Sequence, residues 1–406
     1  METHLTIALI REEGRTPPDR RVALTPLQCK QIIENNLHVR IMVQPSGSRC
    51  FEDDEYTQLG IEVTENINEA DIFIGIKEVP IQNLIENKTY MFFSHTLKKQ
   101  AHNQKLLSSI LDKNIRLIDY ECIVDDQSNR LIAFGYYAGL VGAYNGILTY
   151  GRKFNLFSLK PAYLCKDLEE LKSEFKKIKL PPIKIVLTGG GRVATGVIDM
   201  FEMMGIKKVL AKDILTENYS EPVYAQLHSK TYHKHKLGLP FDRDDFHHAP
   251  QNYESTFAPY FKVADLLVAG AFWHMNAPVL FTNEDVKKND FNIKVIADIT
   301  CDINGSIPCT VRSSTIPDPI YDYNPLSEQV ELPFVNKSNI TVMAVDNLPC
   351  ELPRDASTYF GERMMQNVLP YLTNTETSSV INRATITLNG KLTDRFNYLS
   401  DYASGK

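Results

Sequence analysis

Ile183-Lys-Ile-Val-Leu-Thr-Gly-Gly-Gly-Arg-Val-Ala-Thr-Gly196 is the stretch that decides the fold of this chain. It opens as an apolar run of strand type, passes through three glycines and continues as the start of a helix. Gly189, Gly191 and Ala194 fill the pattern G-x-G-x-x-A. Small residues are needed at those places. A side chain at Gly191 would hold the backbone away from a pyrophosphate, and a large residue at Ala194 would push the helix off the strand. The helix N-terminus, with Arg192 and Val193 in its first turn, offers free N–H groups and a partial positive charge to the phosphates. An acidic residue at the tip of the next strand completes the pattern by bonding a ribose hydroxyl. Lys208-Val-Leu-Ala-Lys-Asp213 supplies Asp213 about 20 residues on. The stretch predicts a dinucleotide-binding α/β unit; the plainer alternative is a glycine turn that holds no cofactor.

Upstream, strand-type and helix-type segments alternate. Residues 5–11, 39–44, 70–77, 89–95 and 116–120 read as strands. Thr25-Pro26 is an N-cap followed by proline, opening a helix to about residue 35, and 97–112 has helical periodicity. Downstream, 264–269, 295–299 and 340–345 read as further strands, and 354–372 as a helix. Alternation of this kind predicts parallel sheets covered on both faces. The fold class expected is α/β, with two Rossmann-like domains and an active site in the cleft between them. The division expected is 1–137 with 346–406 as the substrate-binding domain, and 138–345 as the dinucleotide-binding domain. The small residues of Tyr136-Tyr-Ala-Gly-Leu-Val-Gly-Ala143 suit a closely packed helix crossing between domains. Residues 216–260 read as a solvated insertion. Its histidines (His228, His233, His235, His247 and His248) sit among Lys, Asp and Tyr, which favours that reading over a metal site.

A chain of 406 residues exceeds one hydrophobic core. Its 43% hydrophobic and 23% charged content is that of a soluble globular protein. The net charge of -6, with both signs dispersed, points away from a nucleic-acid or membrane surface, and no apolar run is long enough to span a membrane. Seven scattered cysteines without a C-x-x-C pair point to a reducing cytoplasm and to neither disulfides nor zinc. The N-terminus, Met1-Glu-Thr-His-Leu-Thr-Ile-Ala-Leu-Ile10, reads as a strand without the basic start or cleavage site of a signal peptide.

Several residues could carry chemistry. Hydride transfer at a C–N bond needs cations for substrate carboxylates and a general acid/base near the nitrogen. Arg20 and Arg21 lie in a loop after the first strand, and arginine is the bidentate partner of carboxylates; a surface pair with Asp19 is the plainer reading. Lys77 and His95 both end strands, at the sheet edge where open α/β sheets bind ligands. Alone, His95 reads as a core histidine; beside Lys77 it makes an acid/base pair. Asp346 stands at another strand tip.

Together these motifs resemble the lysine–2-oxoglutarate reductase family, the L-lysine-forming saccharopine dehydrogenases, related to alanine dehydrogenase and the transhydrogenase α subunit. The resemblance runs through Arg20-Arg-Val-Ala-Leu-Thr-Pro26, Gly75-Ile-Lys77, Tyr90-Met-Phe-Phe-Ser-His-Thr-Leu-Lys98, Ile115-Arg-Leu-Ile-Asp-Tyr-Glu121 and Ala133-Phe-Gly-Tyr-Tyr-Ala-Gly139. It continues in Ala344-Val-Asp-Asn-Leu-Pro349, Leu352-Pro-Arg-Asp-Ala-Ser357 and Ala384-Thr-Ile-Thr-Leu-Asn-Gly-Lys-Leu-Thr393. It is most similar to the reductase half of bifunctional aminoadipate-semialdehyde synthase. The resemblance implies reductive condensation of lysine with 2-oxoglutarate to saccharopine, or the reverse, in lysine metabolism. It implies that Lys77 and His95 share the proton work and that Asp346 lies by the nicotinamide and the reacting nitrogen. It further implies that Arg21, Lys98 and Arg130 bind carboxylates, and that the loop carrying Trp273 borders the nicotinamide. Partners would be these small molecules, with no nucleic acid and no membrane. Reductases of the bifunctional type prefer the phosphorylated cofactor and generally lack an acid where this chain has Asp213. Asp213 therefore favours NAD(H), while Lys207, Lys208 and Lys212 leave NADP(H) open. Other readings are an alanine-dehydrogenase-like enzyme and a nucleotide-binding regulatory protein without turnover. The sequence does not set the oligomeric state.

Overall fold

The computed structural model describes residues 5–14, 16–373 and 378–405; Met1 to His4 of the expected N-terminal strand lie outside them. The chain divides into two compact units, Met1–Phe134 with Pro353–Lys406, and Gly135–Leu352. Each is built on an eight-stranded, mostly parallel sheet, the α/β class that the sequence predicts.

In the first unit, β1 (Leu5–Leu9), β2 (Val39–Val43), β3 (Glu62–Val63), β4 (Ile72–Ile74), β5 (Thr89–Phe92) and β6 (Arg116–Asp119) run parallel. Their order is β6-β5-β4-β1-β2-β3. Ile7, Ala8, Phe73, Ile74, Met91, Phe92 and Leu117 are all buried, which is why these strands read as continuous apolar runs. The first helix, Pro26–Asn35, starts where its cap predicts: the Thr25 hydroxyl accepts from the Gln28 N–H, and Gln28 Oε1 accepts from the Thr25 N–H at 2.9 Å. A hairpin, Thr385–Leu388 with Lys391–Leu392, adds antiparallel to β6. Its register shifts at Thr387, whose hydroxyl accepts from the Leu117 N–H and donates to the Ile115 carbonyl.

The second unit contains β7 (Lys184–Thr188), β8 (Lys207–Val209), β9 (Val223–Leu227), a small antiparallel pair β10 (His233–His235) and β11 (Tyr253–Ser255), then β12 (Leu266–Ala269), β13 (Val295–Asp298), β14 (Ile320–Asn324), β15 (Gln329–Glu331) and β16 (Ile340–Met343). The main sheet has the order β15-β14-β16-β13-β12-β7-β9-β8. It is parallel from β16 to β8, with β14 and β15 antiparallel at one edge.

Two expectations are corrected here. The stretch 216–260 is not a solvated insertion throughout. Val223, Tyr224, Ala225 and Leu227 are fully buried in an internal strand, and His233 and His235 are buried as well. Burial pushes the His233 imidazole down to about 4, opposed by its bond to the Ser229 carbonyl. Among the described residues, no group of three His, Cys, Asp or Glu could hold a metal. The small-residue helix, Gly135–Lys153, owes its glycines to a neighbour inside its own unit. A Cβ on Gly139 would lie 1.9 Å from the Val193 carbonyl oxygen, and one on Gly196 would lie 1.9 Å from that of Tyr136. The helix therefore lies backbone to backbone on the helix Arg192–Met203 that follows the glycine turn.

Candidate functional site

In the first unit the parallel strands bring their C-terminal ends to one edge. Lys77 follows β4 and His95 follows β5. Between them in chemistry stands Glu78: its Oε1 lies 2.5 Å from His95 Nδ1 and accepts from Asn103 Nδ2 at 3.1 Å. Asn103 Nδ2 also donates to the Ser94 carbonyl, fixing the turn that carries His95. His95 has φ +49, a left-handed backbone that is uncommon outside glycine. Beneath it, buried Asp119 accepts from the Ser94 N–H at 2.9 Å and from the Ser94 hydroxyl. Burial lifts the Asp119 carboxyl to about 6, against these hydrogen bonds.

Glu12, beyond the end of β1, clasps the end of β4. Its two oxygens accept from the N–H groups of Ile76 at 2.6 Å and Lys77 at 2.9 Å. The residue is half-buried, but its carboxyl end is enclosed. Loss of water, and then the charge of Asp19, push that carboxyl up to about 8, while the two N–H groups and Arg21 pull the other way. Asp19 is the opposite case. Burial opposes its charge, yet the Arg21 guanidinium and then Lys77 hold its carboxyl well below the usual range.

Of the expected carboxylate binders, Arg21 is buried and its fork is engaged by Asp19, Nε to Oδ1 at 3.0 Å and NH2 to Oδ2 at 2.6 Å. Its plane lies 4.1 Å over the Phe134 ring. This is the Asp19 pair the sequence suggests, but in the interior and not on the surface. Lys98 is exposed in the turn after His95. Arg130 reaches Glu121 at 3.7 Å, and its Nε is buried without a hydrogen-bond partner.

In the second unit, Gly189 adopts φ +116, and a Cβ there would meet the Gly270 carbonyl oxygen at 2.9 Å. Gly191 caps the helix Arg192–Met203, and the place of its missing side chain is open space. Arg192 is exposed in the first helical turn; Val193 packs against Gly270 and Gly135. An open glycine at a helix N-terminus fits a pyrophosphate. Asp213 is not on the strand beside β7. It opens a short helix beyond β8 and shares a shallow hollow with Lys208, Glu217 and Tyr219. The Trp273 indole N–H donates to the carbonyls of Ala277 and Pro278 in its own loop. Its ring lines a cavity with Thr188, Ser229, His233 and Phe246. Asp346 is exposed three residues past the end of β16, at the sheet edge of the glycine turn.

The residues that sequence reasoning missed are Glu12, Glu78 and Asn103. Glu12 and Glu78 follow strand ends and Asn103 precedes the helix Gln104–Asp112, places where polarity by itself signals only solvent or a cap.

Comparison with known proteins adds kinship to this geometry. The family described as Alanine dehydrogenase/PNT, N-terminal domain, matches residues 9–141, and Alanine dehydrogenase/PNT, C-terminal domain, matches 174–395. The chain is 29% identical over 447 residues to Alpha-aminoadipic semialdehyde synthase, mitochondrial, of Mus musculus, covering 98% of this chain and 48% of that protein. It is 30% identical over 429 residues to the Arabidopsis thaliana Alpha-aminoadipic semialdehyde synthase, covering 94% and 40%. The chain thus spans about half the length, or less, of these relatives. With Saccharopine dehydrogenase [NAD(+), L-lysine-forming] of Emericella nidulans it is 27% identical over 375 residues, covering 87% and 89%. Among solved structures, an L-alanine dehydrogenase aligns with a TM-score of 0.66 at 14% identity, covering 99% of both chains, a likeness of fold alone. With a family description matching more than half its length, the chain belongs to the alanine dehydrogenase/PNT family.

Proposed function

We propose that this chain is a nicotinamide-dependent oxidoreductase of CH–NH bonds that joins L-lysine and 2-oxoglutarate into saccharopine, or runs the reverse. The observation that carries the reading is the strand-edge group Lys77, Glu78 and His95, with His95 Nδ1 held by Glu78 at 2.5 Å. Relatives named saccharopine dehydrogenase and aminoadipic semialdehyde synthase support the choice of substrates.

In the condensing direction the lysine ε-amine adds to the ketone, water leaves, and the resulting imine is reduced. Addition and water loss each require a proton to move at nitrogen or oxygen. His95 exchanges that proton through Nε2, because Glu78 engages Nδ1. Lys77, anchored by the bond from its N–H to Glu12, supplies a second proton carrier and a positive charge beside Asp19. A tricarboxylate product calls for several cations. Arg130 and Lys98 meet carboxylates directly, whereas Arg21 has spent its fork on Asp19 and acts by holding that charge in place. A bound nicotinamide supplies the hydride. Gly189, Gly191 and the N–H groups at Arg192 and Val193 would hold its pyrophosphate, and Trp273 and Asp346 stand at the same sheet edge. The seven cysteines are free thiols, and with them we place the chain in a reducing compartment, the cytoplasm. No described helix is long and apolar enough to cross a membrane.

The test is nicotinamide absorbance with purified chain, lysine and 2-oxoglutarate. Oxidation of the reduced cofactor that needs both substrates is the expected result. Oxidation with pyruvate and ammonia instead, or no reduction of the oxidised cofactor by saccharopine in reverse, would overturn the reading.

A further inference from the structure

The later turns of the helix Gly135–Lys153 border a partly enclosed space of about 130 Å³ that lies wholly within the second unit. Leu148, Ile316, Ile320 and Met343 form its apolar wall. Its polar groups are Asn145, Thr149, Arg152, Tyr163 and Glu351. None of them belongs to the glycine turn or to the strand edge that carries Lys77 and His95.

Some of these groups are spent on the protein. The Thr149 hydroxyl donates to the Asn145 carbonyl at 2.6 Å, and Asn145 Nδ2 donates to Glu351 Oε1 at 2.9 Å. Lys153, next to Arg152 in the chain, is spent as well: its ammonium donates to the Asn339 carbonyl and the Thr341 hydroxyl, both at 2.8 Å. Arg152 is different. It is half-buried, and among the described residues no hydrogen bond or ion pair engages its guanidinium. The hydroxyl of half-buried Tyr163 is equally without a partner among them. Glu351 is 2% exposed, and with Oε1 taken by Asn145 its second oxygen is the one left for the space. Burial pushes this carboxyl up to about 8, so at neutral pH Oε2 carries a hydrogen to donate. Buried polar groups are satisfied by a partner, and here the protein supplies none.

We propose that this space is a binding site for a small monocarboxylate with a short apolar chain. Arg152 takes the carboxylate through its fork, and Glu351 and Tyr163 donate to the same oxygens. The apolar chain lies on Leu148, Ile320 and Met343. The unspent groups are a guanidinium, a phenol and a neutral acid, a set of donors that suits an anion; a ligand cation would meet Arg152 as a like charge. A cavity of roughly 150 Å³ takes up a molecule of the size of benzene. At about 130 Å³ the ligand is of that order. Asn145 stands on the helix by which the chain enters this unit, and Glu351 on the turn Leu348–Glu351, just before it leaves at Leu352. A ligand held by both elements ties them together and stabilises the unit. The assignment is independent of the substrates proposed above.

The experiment is calorimetric titration of the full chain with 3-methylbutanoate, 3-methylbutanamide and 3-methylbutylamine, with melting curves alongside. The carboxylate should bind at least ~10-fold more tightly than the isosteric amide, and the Tm should rise with its concentration. The amine should not bind. Arg152→Gln should remove ~10-fold or more of the carboxylate affinity, and Ile316→Trp should block the space. Equal binding of acid and amide would make this a plain apolar hole, and tighter binding of the amine would reverse the charge assignment. No binding of any of the three would leave a cavity filled by water. Each of these overturns the proposal. So does carboxylate binding that survives both Arg152→Gln and Ile316→Trp, which would place the ligand at the cations of the first unit instead.

Discussion

His95 Nδ1 lies 2.5 Å from Glu78 Oε1, and Glu78 directly follows Lys77 in the chain. One strand end therefore carries both the proposed second proton carrier and the carboxylate that orients the first. A carboxylate on one ring nitrogen fixes the tautomer and leaves the other nitrogen to exchange protons. The same carboxylate is bound by Asn103, so the imidazole is held from two elements.

His95 and Glu78 should behave as a unit. His95→Ala should lower kcat by about 10² and Glu78→Gln by about tenfold, with nucleotide affinity retained. The double variant should be no slower than His95→Ala alone, since removing a partner costs nothing once the residue it serves is gone. Additive losses in steady-state kinetics would show that Glu78 acts apart from His95.

Asp19 and Arg21 make a buried pair, and breaking one side should cost more than removing both. Asp19→Ala leaves an uncompensated guanidinium in the interior, a loss of roughly 3–5 kcal/mol. In a unit of this size that corresponds to a Tm lower by about 10 °C. A double Ala variant should recover part of the loss, because the buried charge goes with its partner. Calorimetry on the two variants decides it: a double variant less stable than the single would mean that Arg21 is held by its other contacts, with Asp19 a minor one.

Glu351 predicts a pH dependence of stability. It is 2% exposed, and Asn145 Nδ2 donates to its Oε1 at 2.9 Å. Burial pushes its carboxyl from 4.5 up to about 8, opposed by the Asn145 bond. The folded protein keeps this group protonated while the unfolded chain releases the proton near 4.5. Its stabilising contribution is therefore complete below 4.5 and is lost as pH rises toward 8. Glu351→Gln preserves shape and hydrogen bonding without a charge to bury. The Tm of wild type should fall relative to this variant between pH 5 and pH 8, the sign of a stability loss on the order of a few kcal/mol. Parallel Tm curves across that range would contradict it.

Much of this architecture was legible because it is local. The glycine turn, the Thr25 cap and the apolar runs ending in Lys77 and His95 declare themselves within a dozen residues. What was not legible depends on distant pairing. Val223–Leu227 falls inside the stretch that reads as a solvated insertion, and nothing in its residues says that it intervenes between β7 and β8, a placement that decides which tip flanks the glycine turn. Glu12 and Glu78 look like solvated charges until the strands bring them against the backbone of Lys77 and the ring of His95. The Asp19–Arg21 pair is visible at a spacing of two, whereas its burial under Phe134 is not.

Two glycines should answer substitution in opposite ways. The place of a Cβ on Gly191 is empty to 4 Å, and its φ of -97 suits any residue. Gly191→Val should fold with nearly the wild-type Tm, yet fill the space a pyrophosphate needs and weaken nucleotide binding by ~100-fold or more. A Cβ on Gly139 would lie 1.9 Å from the Val193 carbonyl oxygen, a backbone atom that cannot rotate away. Gly139→Ala must therefore pry the helix Gly135–Lys153 off the helix Arg192–Met203, at about 1–3 kcal/mol or more. Thermal melts and nucleotide titrations on both variants separate the roles. If Gly191→Val bound nucleotide as wild type does, the open space at the glycine turn would not be the phosphate cradle. If Gly139→Ala melted unchanged, the close helix contact would not be what excludes a side chain there.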